Sequence, residues 1–205
     1  MCGIVGYVGK RPCRDLIVAG LEKLEYRGYD SAGIALLEDE GLEYDRAVGN
    51  LQVLKKQAGS NGSHATTGLG HTRWATHGAV TLQNAHPLTG CDAGKLAIVL
   101  NGIVENYREL KGSLEAEWHR FQTETDAEVV VHLIERHYDG DLLESTRAAY
   151  PSSRATSHSS SSITTTRRSS WAHGSSARCS SASATARCSW PRWPPPSSAR
   201  RARSS

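Results

Sequence analysis

The feature that most limits how this chain can fold is a break at Pro151. Before it, apolar residues recur with strand or helix periods; after it they do not. Beyond the break Ser, Arg, Ala, Thr, Pro, Trp and Cys dominate, and Ile163 is the only aliphatic residue larger than Ala. Charge divides at the same place. Residues 1–151 hold 15 Lys and Arg against 21 Asp and Glu, a net of −6, whereas residues 152–205 hold 9 Arg and no acid, a net of +9. The whole-chain value of +3 therefore joins two differently composed pieces. A segment with no apolar period cannot bury enough surface to offset its ordering entropy. Residues 151–205 thus read either as a disordered, low-complexity basic tail or as the product of a frameshift in a GC-rich gene. Out-of-frame GC-rich codons yield mostly Ser, Arg, Ala, Pro, Trp and Cys. One clean reading frame through codons 144–152 is the observation that would remove the second reading.

The first 150 residues read as a domain mixing strands and helices. Cys2–Val8 is a short apolar run punctuated by Gly, the pattern of a buried strand. A helix is expected over Asp15–Tyr26, with Leu16, Ile17, Leu21 and Leu24 on one side and Gly28 ending it. Ala32–Leu37 reads as a strand and Asp39-Glu40-Gly41 as a turn. Leu51–Ala58 suits a short helix, Gly59–Gly62 a loop, and Thr67–Ala75 a strand. Lys95–Leu100 is a strand that stops at Asn101-Gly102, and Val104–Ala116 a helix weakened by Gly112. Thr125 with Glu128 three residues on forms a capping box for a helix to about Tyr138. Its Ala127, Val130, Val131, Ile134 and Tyr138 should face a core.

Composition also sets exclusions. No apolar run approaches the ~20 residues that span a bilayer, and Met1-Cys2-Gly3-Ile4-Val5 lacks the basic leader of a signal peptide. A cytoplasmic protein is expected. The five cysteines are odd in number and form no C-x-x-C pair, so neither a disulfide framework nor a zinc site is suggested. His71, His77 and His86 fit no H-x-x-x-H helix face, and no metal is expected there.

The residue with most chemical interest is Cys2. Removal of Met1 would leave a thiol and a free α-amine on one residue. The amine, with an ordinary pKa of about 8, is partly neutral near pH 7 and can take the thiol proton directly or through a water. Such a nucleophile needs no His partner. Taken singly, other residues have plainer explanations: Arg73 and Asp126 as surface ion-pair members, Asn101-Gly102 as a simple turn, and Cys2 as a small buried strand residue.

Their company changes that reading. Cys2-Gly3-Ile4-Val5-Gly6 is followed by Arg27-Gly28-Tyr29-Asp30-Ser31-Ala32-Gly33, then His71-Thr72-Arg73-Trp74-Ala75-Thr76-His77-Gly78. Asn84-Ala85-His86-Pro87, Asn101-Gly102-Ile103-Val104-Glu105-Asn106 and Thr123-Glu124-Thr125-Asp126 complete the series. In this order, over residues 2 to about 150, the chain resembles the glutaminase domain of the glutamine–fructose-6-phosphate aminotransferase (glucosamine-6-phosphate synthase) family. The resemblance implies an α+β fold, the four-layer αββα sandwich of N-terminal nucleophile hydrolases, here incomplete and followed by the tail. It implies Cys2 as nucleophile, Asn101 and Gly102 as oxyanion hole, and Arg73 on the substrate α-carboxylate with Thr76 and His77 beside it. Asp126 would pair with the α-ammonium. Arg27 and Trp74 are expected to be structural. The family commonly places His where this chain has Leu100.

The implied reaction is glutamine plus water to glutamate plus ammonia, with no cofactor. In the full-length family the ammonia serves a C-terminal isomerase domain that makes glucosamine 6-phosphate from fructose 6-phosphate, and homo-oligomers are common. No isomerase pattern is present, and residues 152–205 offer no strand pattern, so open sheet edges and an unstable or aggregating product are expected. The alternatives are the glutaminase half of another class II amidotransferase, or a non-functional truncated product. A basic-tailed binder of nucleic acid would be the non-enzymatic case; neither nucleic acid nor a membrane is the expected partner.

Overall fold

In the computed structural model, residues 2–57, 62–149 and 152 are described in full, and residues 155–156 and 163–167 through their backbone. Most of the tail, and the Gly59–Gly62 loop except Gly62, lies outside the described residues, so the expectation of disorder or a frame error over 151–205 falls largely there.

Four antiparallel strands form the first sheet: β1 (Gly3–Val8), β2 (Ser31–Glu38), β3 (Gly41–Val48) and β4 (Thr67–Arg73), in the order β1-β4-β2-β3. A second sheet joins β5 (Leu88–Thr89), β6 (Leu96–Leu100) and β9 (Ile163–Arg167) in the order β5-β6-β9. A small ribbon pairs β7 (Ile103–Val104) with β8 (Ala155–Thr156). Helices α1 (Arg14–Glu22) and α2 (Leu51–Gln57) accompany the first sheet, and α3 (Tyr107–Ala116), α4 (Glu128–Arg136) and α5 (Leu142–Ala149) the second.

The layers follow from strand alternation, which sends successive side chains to opposite faces. From β2, Ala32, Ile34 and Leu36 join a cluster with Ile17 and Leu21 of α1 and Leu51 and Leu54 of α2. Ala35 of the same strand points the other way, into a cluster with Leu69 of β4 and Ala97 and Val99 of β6. The alternate β6 residues, Leu96, Ile98 and Leu100, pack with Leu114 of α3, Val130, Leu133 and Ile134 of α4, and Leu142 of α5. One apolar cluster thus lies under each pair of neighbouring layers, giving helix–sheet–sheet–helix order. Each fully buried Leu or Ile contributes roughly 1.5–3 kcal/mol to holding these layers together.

Several sequence expectations need correction. β1 is only partly buried and, among the described residues, is an edge strand with no partner on its outer side. α1 ends at Glu22, and the chain tightens into a 3-10 turn over Glu25–Arg27; Leu16 is exposed while Ile17 and Leu21 take the core. Thr125 does not cap α4. Its hydroxyl meets that of Thr123 at 2.7 Å, while the Glu128 carboxylate reaches back to accept from the amides of Gln122 and Thr123, at 2.6 and 2.8 Å. The N-cap position is Ala127, which offers no side-chain cap, so Glu128 ties the preceding loop to the first turn instead of closing a capping box. Two elements without a clear sequence period, β3 and α5, are also present.

The expected absence of strands after residue 151 does not hold. Ile163–Arg167 pairs antiparallel with β6, Leu96 opposite Arg167 and Leu100 opposite Ile163, and Ala155–Thr156 pairs with β7. The physical reason is local: Ile163-Thr164-Thr165-Thr166 is a β-branched run, and an open edge of a sheet accepts a strand through backbone bonds without a second apolar face.

Candidate active site

The site sits where three strands end together. Register places Gly3 opposite Thr72 and Ile4 opposite His71, so Cys2, one residue before β1, lies at the Arg73 end of β4. Because Ile4 faces the space between the sheets, alternation turns Cys2 toward the same side. β6 delivers Asn101 and Gly102 to the same point from the other sheet. Cys2, Arg73, Thr76, His77, His86, Leu100, Gly102 and Asp126 line a cavity of about 120 Å³, and Asn101 lies beside it.

Cys2 is held through both its thiol and its backbone. The Trp74 amide donates to Sγ at 3.1 Å, and the Asn101 Nδ2 donates to the Cys2 carbonyl at 3.3 Å. The Thr72 hydroxyl accepts the next amide, Gly3, at 3.0 Å. Trp74 thus touches the site through its backbone; its ring is 55% exposed and packs near Gly28. The loop carrying Trp74 is held by Asp30, whose carboxylate accepts from the Ala75 amide at 2.6 Å.

Arg73 and Asp126 are not surface residues: each is 4% exposed. The Arg73 guanidinium donates to three carbonyls, those of His77 (2.6 Å), Gly78 (3.4 Å) and Ala79 (3.4 Å). Among the described residues no carboxylate forms an ion pair with it. A buried cation fixed by carbonyl dipoles but lacking a counter-charge is suited to a ligand carboxylate. Asp126 accepts from the Val104 amide at 2.7 Å and lies 3.6 Å from His77 Nδ1, an ion-pair distance if His77 is protonated. The wrap of residues 77–79 around Arg73 requires Gly78, at φ +78°, where a Cβ would come within 2.9 Å of Asn84 Nδ2.

The site also contains residues that motif reasoning left without a role. His71 is fully buried, and burial, aided by the Arg73 charge, pushes its pKa down to about 4, against the opposing bond to Asn101. It is therefore neutral near pH 7. Its Nε2 lies 2.7 Å from Asn101 Oδ1, which can only accept, so the proton is on Nε2. That bond fixes which end of the Asn101 amide faces Cys2. His86 stacks on His71 with ring centroids 4.4 Å apart, and burial first, then His71, Arg73 and Arg46, holds its pKa well below the ordinary value. Alternation along β4 (Leu69, His71, Arg73) was the available signal for His71. Leu100, in place of the family's His, is buried and lines the same cavity.

The sequence-predicted residues are therefore brought together: Cys2, Arg73, Thr76, His77, Gly102 and Asp126 line one cavity, with Asn101 bonded to Cys2 beside it. Thr76 is at its exposed rim. No helix of the described residues is long and apolar enough to cross a membrane.

The chain is also similar to known proteins. A family model described as a glutamine amidotransferase domain matches residues 56–150. The glutamine–fructose-6-phosphate aminotransferase of Thermus thermophilus is 56% identical over 149 residues, 73% of this chain and 24% of that protein. That of Aquifex aeolicus is 53% identical over 144 residues, 70% of this chain and 24% of the relative. The chain thus spans about a quarter of the length of these relatives. Among solved structures, a glutamine phosphoribosylpyrophosphate amidotransferase from Bacillus subtilis, complexed with ADP and GMP, superposes with TM-score 0.68 at 25% identity. It covers 82% of this chain and 35% of its own. A second, an allosteric regulatory enzyme of purine biosynthesis, gives 0.67 at 24% identity, over 80% of this chain and 35% of that one, and shares the fold.

Proposed function

Since the chain carries the glutaminase domain of the glutamine–fructose-6-phosphate aminotransferase family, we propose that it hydrolyses L-glutamine to glutamate and ammonia with Cys2 as the nucleophile. The observation that carries this reading is the shared cavity: a thiol, a buried cation without a carboxylate partner and a buried carboxylate all line it. Arg73 and Asp126 offer opposite charges to the α-carboxylate and α-ammonium of a free amino acid, with Thr76 beside the carboxylate and His77 between the two, its carbonyl on Arg73 and its ring 3.6 Å from Asp126. Such a clamp accepts a zwitterion and disfavours a residue inside a peptide, whose amide groups leave both charges uncompensated.

In the proposed reaction Met1 is removed, and the Cys2 amine takes the thiol proton. The thiolate attacks the side-chain amide carbon, and the tetrahedral oxyanion receives the Asn101 Nδ2 and Gly102 N–H donors. In the free site Asn101 Nδ2 rests on the Cys2 carbonyl and needs only to exchange acceptors. Collapse expels ammonia, protonated by the amine, leaving a γ-glutamyl thioester on Cys2. A water activated by the same amine attacks the thioester, releasing glutamate and regenerating the thiol. None of these steps calls for a metal or an organic cofactor. The use of the ammonia to form glucosamine 6-phosphate from fructose 6-phosphate, a cytoplasmic location and homo-oligomerisation rest on the family resemblance of the sequence and are part of this proposal.

The deciding experiment pairs a glutaminase assay with Cys2→Ala and intact-mass analysis. Glutamate release should require Cys2 and a chain lacking Met1. Activity that persists with Met1 attached would overturn the terminal-amine mechanism.

A further inference from the structure

Away from the cavity, a loop and two helices converge four side chains that the glutaminase reaction does not use. Cys91 follows β5, His119 follows α3, and His132 and Glu135 occupy one side of α4. One donor atom from each lies within 4.8 Å of all the others. The Nδ1 atoms of His119 and His132 are 3.2 Å apart, and both lie 3.3 Å from Glu135 Oε2. Cys91 Sγ is 3.5 Å from His119 Nδ1 and 3.7 Å from His132 Nδ1. We propose that these four residues form a structural site for a zinc-class divalent cation, tying the β5–β6 connection to α3 and α4.

The spacing is what carries the assignment. In a tetrahedral zinc site with bonds of roughly 2.0–2.1 Å to nitrogen or oxygen and about 2.3 Å to sulfur, N···N and N···O edges are about 3.3–3.4 Å and N···S edges about 3.6 Å. The five separations above follow that pattern, sulfur contacts longer than the rest. Two ring N–H groups donating to Glu135 account for its two contacts, but if both nitrogens carry protons their 3.2 Å approach to each other has no hydrogen bond to explain it.

The surrounding groups are set as an outer shell. His132 is completely buried, and its other ring nitrogen lies 3.6 Å from the Glu128 carboxylate, the arrangement that leaves Nδ1 free to ligate. Glu128 is itself fixed by the Gln122 and Thr123 amides and the Thr123 hydroxyl. Glu135 accepts from the Cys91 amide at 3.1 Å and the Asp92 amide at 3.4 Å, so its position is held by the same loop that supplies the thiol. Four protein donors fill a tetrahedral shell, which marks a structural site rather than a catalytic one. Cys91 is exposed, which gives the cation an entry path. Binding displaces the thiol proton and makes Cys91 a thiolate ligand. Neither Cys-x-x-Cys nor His-x-x-x-His spacing is present, which is why a sequence reading rejects a metal here.

Cobalt(II) titration of the full chain, stripped with chelator, tests the site. A parallel titration in the Cys2→Ala background removes the chelate that a terminal aminothiol would itself form. One equivalent of cobalt should give a thiolate charge-transfer band and tetrahedral d–d bands, displaced by zinc, and zinc should raise the thermal midpoint with the logarithm of its free concentration above Kd. Cys91→Ser, at an exposed position, should abolish the thiolate band and weaken affinity by more than about 100-fold, beyond the 10–100-fold usual for outer-shell changes. His119→Ala should also lose stoichiometric binding. If the signal survives Cys91→Ser but disappears in Cys2→Ala, or if no tetrahedral species forms, the proposal is wrong.

Discussion

Asn101 and Asp126 illustrate how neighbouring single side chains divide binding from chemistry. Asn101 presents Nδ2 toward Cys2 because His71 occupies its Oδ1 at 2.7 Å. In the proposed mechanism the donor meets a full charge only in the tetrahedral state. Asn101→Ala should therefore lower kcat by about 10²–10³ while KM for glutamine stays near its original value. Asp126→Asn keeps an oxygen for the Val104 amide but removes the charge facing an α-ammonium. A charged hydrogen bond is worth about 1.5–3 kcal/mol, so KM should rise roughly 10- to 100-fold with a smaller change in kcat. Steady-state kinetics on the two variants separates the roles. The opposite split, a KM effect at Asn101 and a kcat effect at Asp126, would exchange the assignments.

Two glycines show how the elements constrain the chain in opposite ways. Gly33 of β2 lies under the chain at His86: a Cβ there would sit 2.2 Å from the His86 carbonyl oxygen and 2.8 Å from that of Asp45. Neither backbone can yield without moving a strand or the His86–Pro87 segment. Gly33→Ala should cost about 1–3 kcal/mol, the usual range for overpacking. Gly112 lies inside α3 with nothing within 4 Å of the added carbon, so Gly112→Ala should stabilise by about 0.5–1 kcal/mol. Urea unfolding of both variants checks the pair, and a shift of the same sign in each would show that the close approach at Gly33 is not limiting. The elements that sequence reading found, such as β6 and α4, are those whose faces are nearly all apolar: Leu96–Leu100 and Val129–Ile134 are buried throughout. β3 escaped it because only Leu42 and Ala47 are buried among charged and polar neighbours. β9 escaped it because pairing with an open edge is decided by backbone bonds, which leave no apolar period to read.

Assembly of the site is a property of the whole sandwich, and it carries a pH dependence that no motif contains. Cys2, Arg73 and Asp126 were legible through their motifs, but the burial that makes His71 and His86 neutral arises only when the two sheets close over them. His71 is pushed down to about 4 and His86 well below its ordinary value, burial being the largest cause for both. In the unfolded chain both titrate near 6.5. Below about pH 6.5 the unfolded state therefore takes up protons that the native state refuses, so the stability present above pH 6.5 is lost as pH falls toward 4. At about 1.36 kcal/mol per pKa unit, His71 alone accounts for roughly 3 kcal/mol across that window. His132 acts in the opposite sense. In the metal-free chain its burial is outweighed by Glu128 and Glu135, its pKa is raised, and the stability it contributes is present at low pH and lost as pH rises through the raised value, so the pH series is run with chelator present. Two depressed histidines against one raised leave a net loss on acidification. The urea midpoint should fall steadily from pH 7 to pH 5. His71→Gln, which keeps a donor for Asn101 Oδ1 without a titrating ring, should flatten that slope; an unchanged slope in the variant would mean that His71 is not the group whose protonation opens the fold.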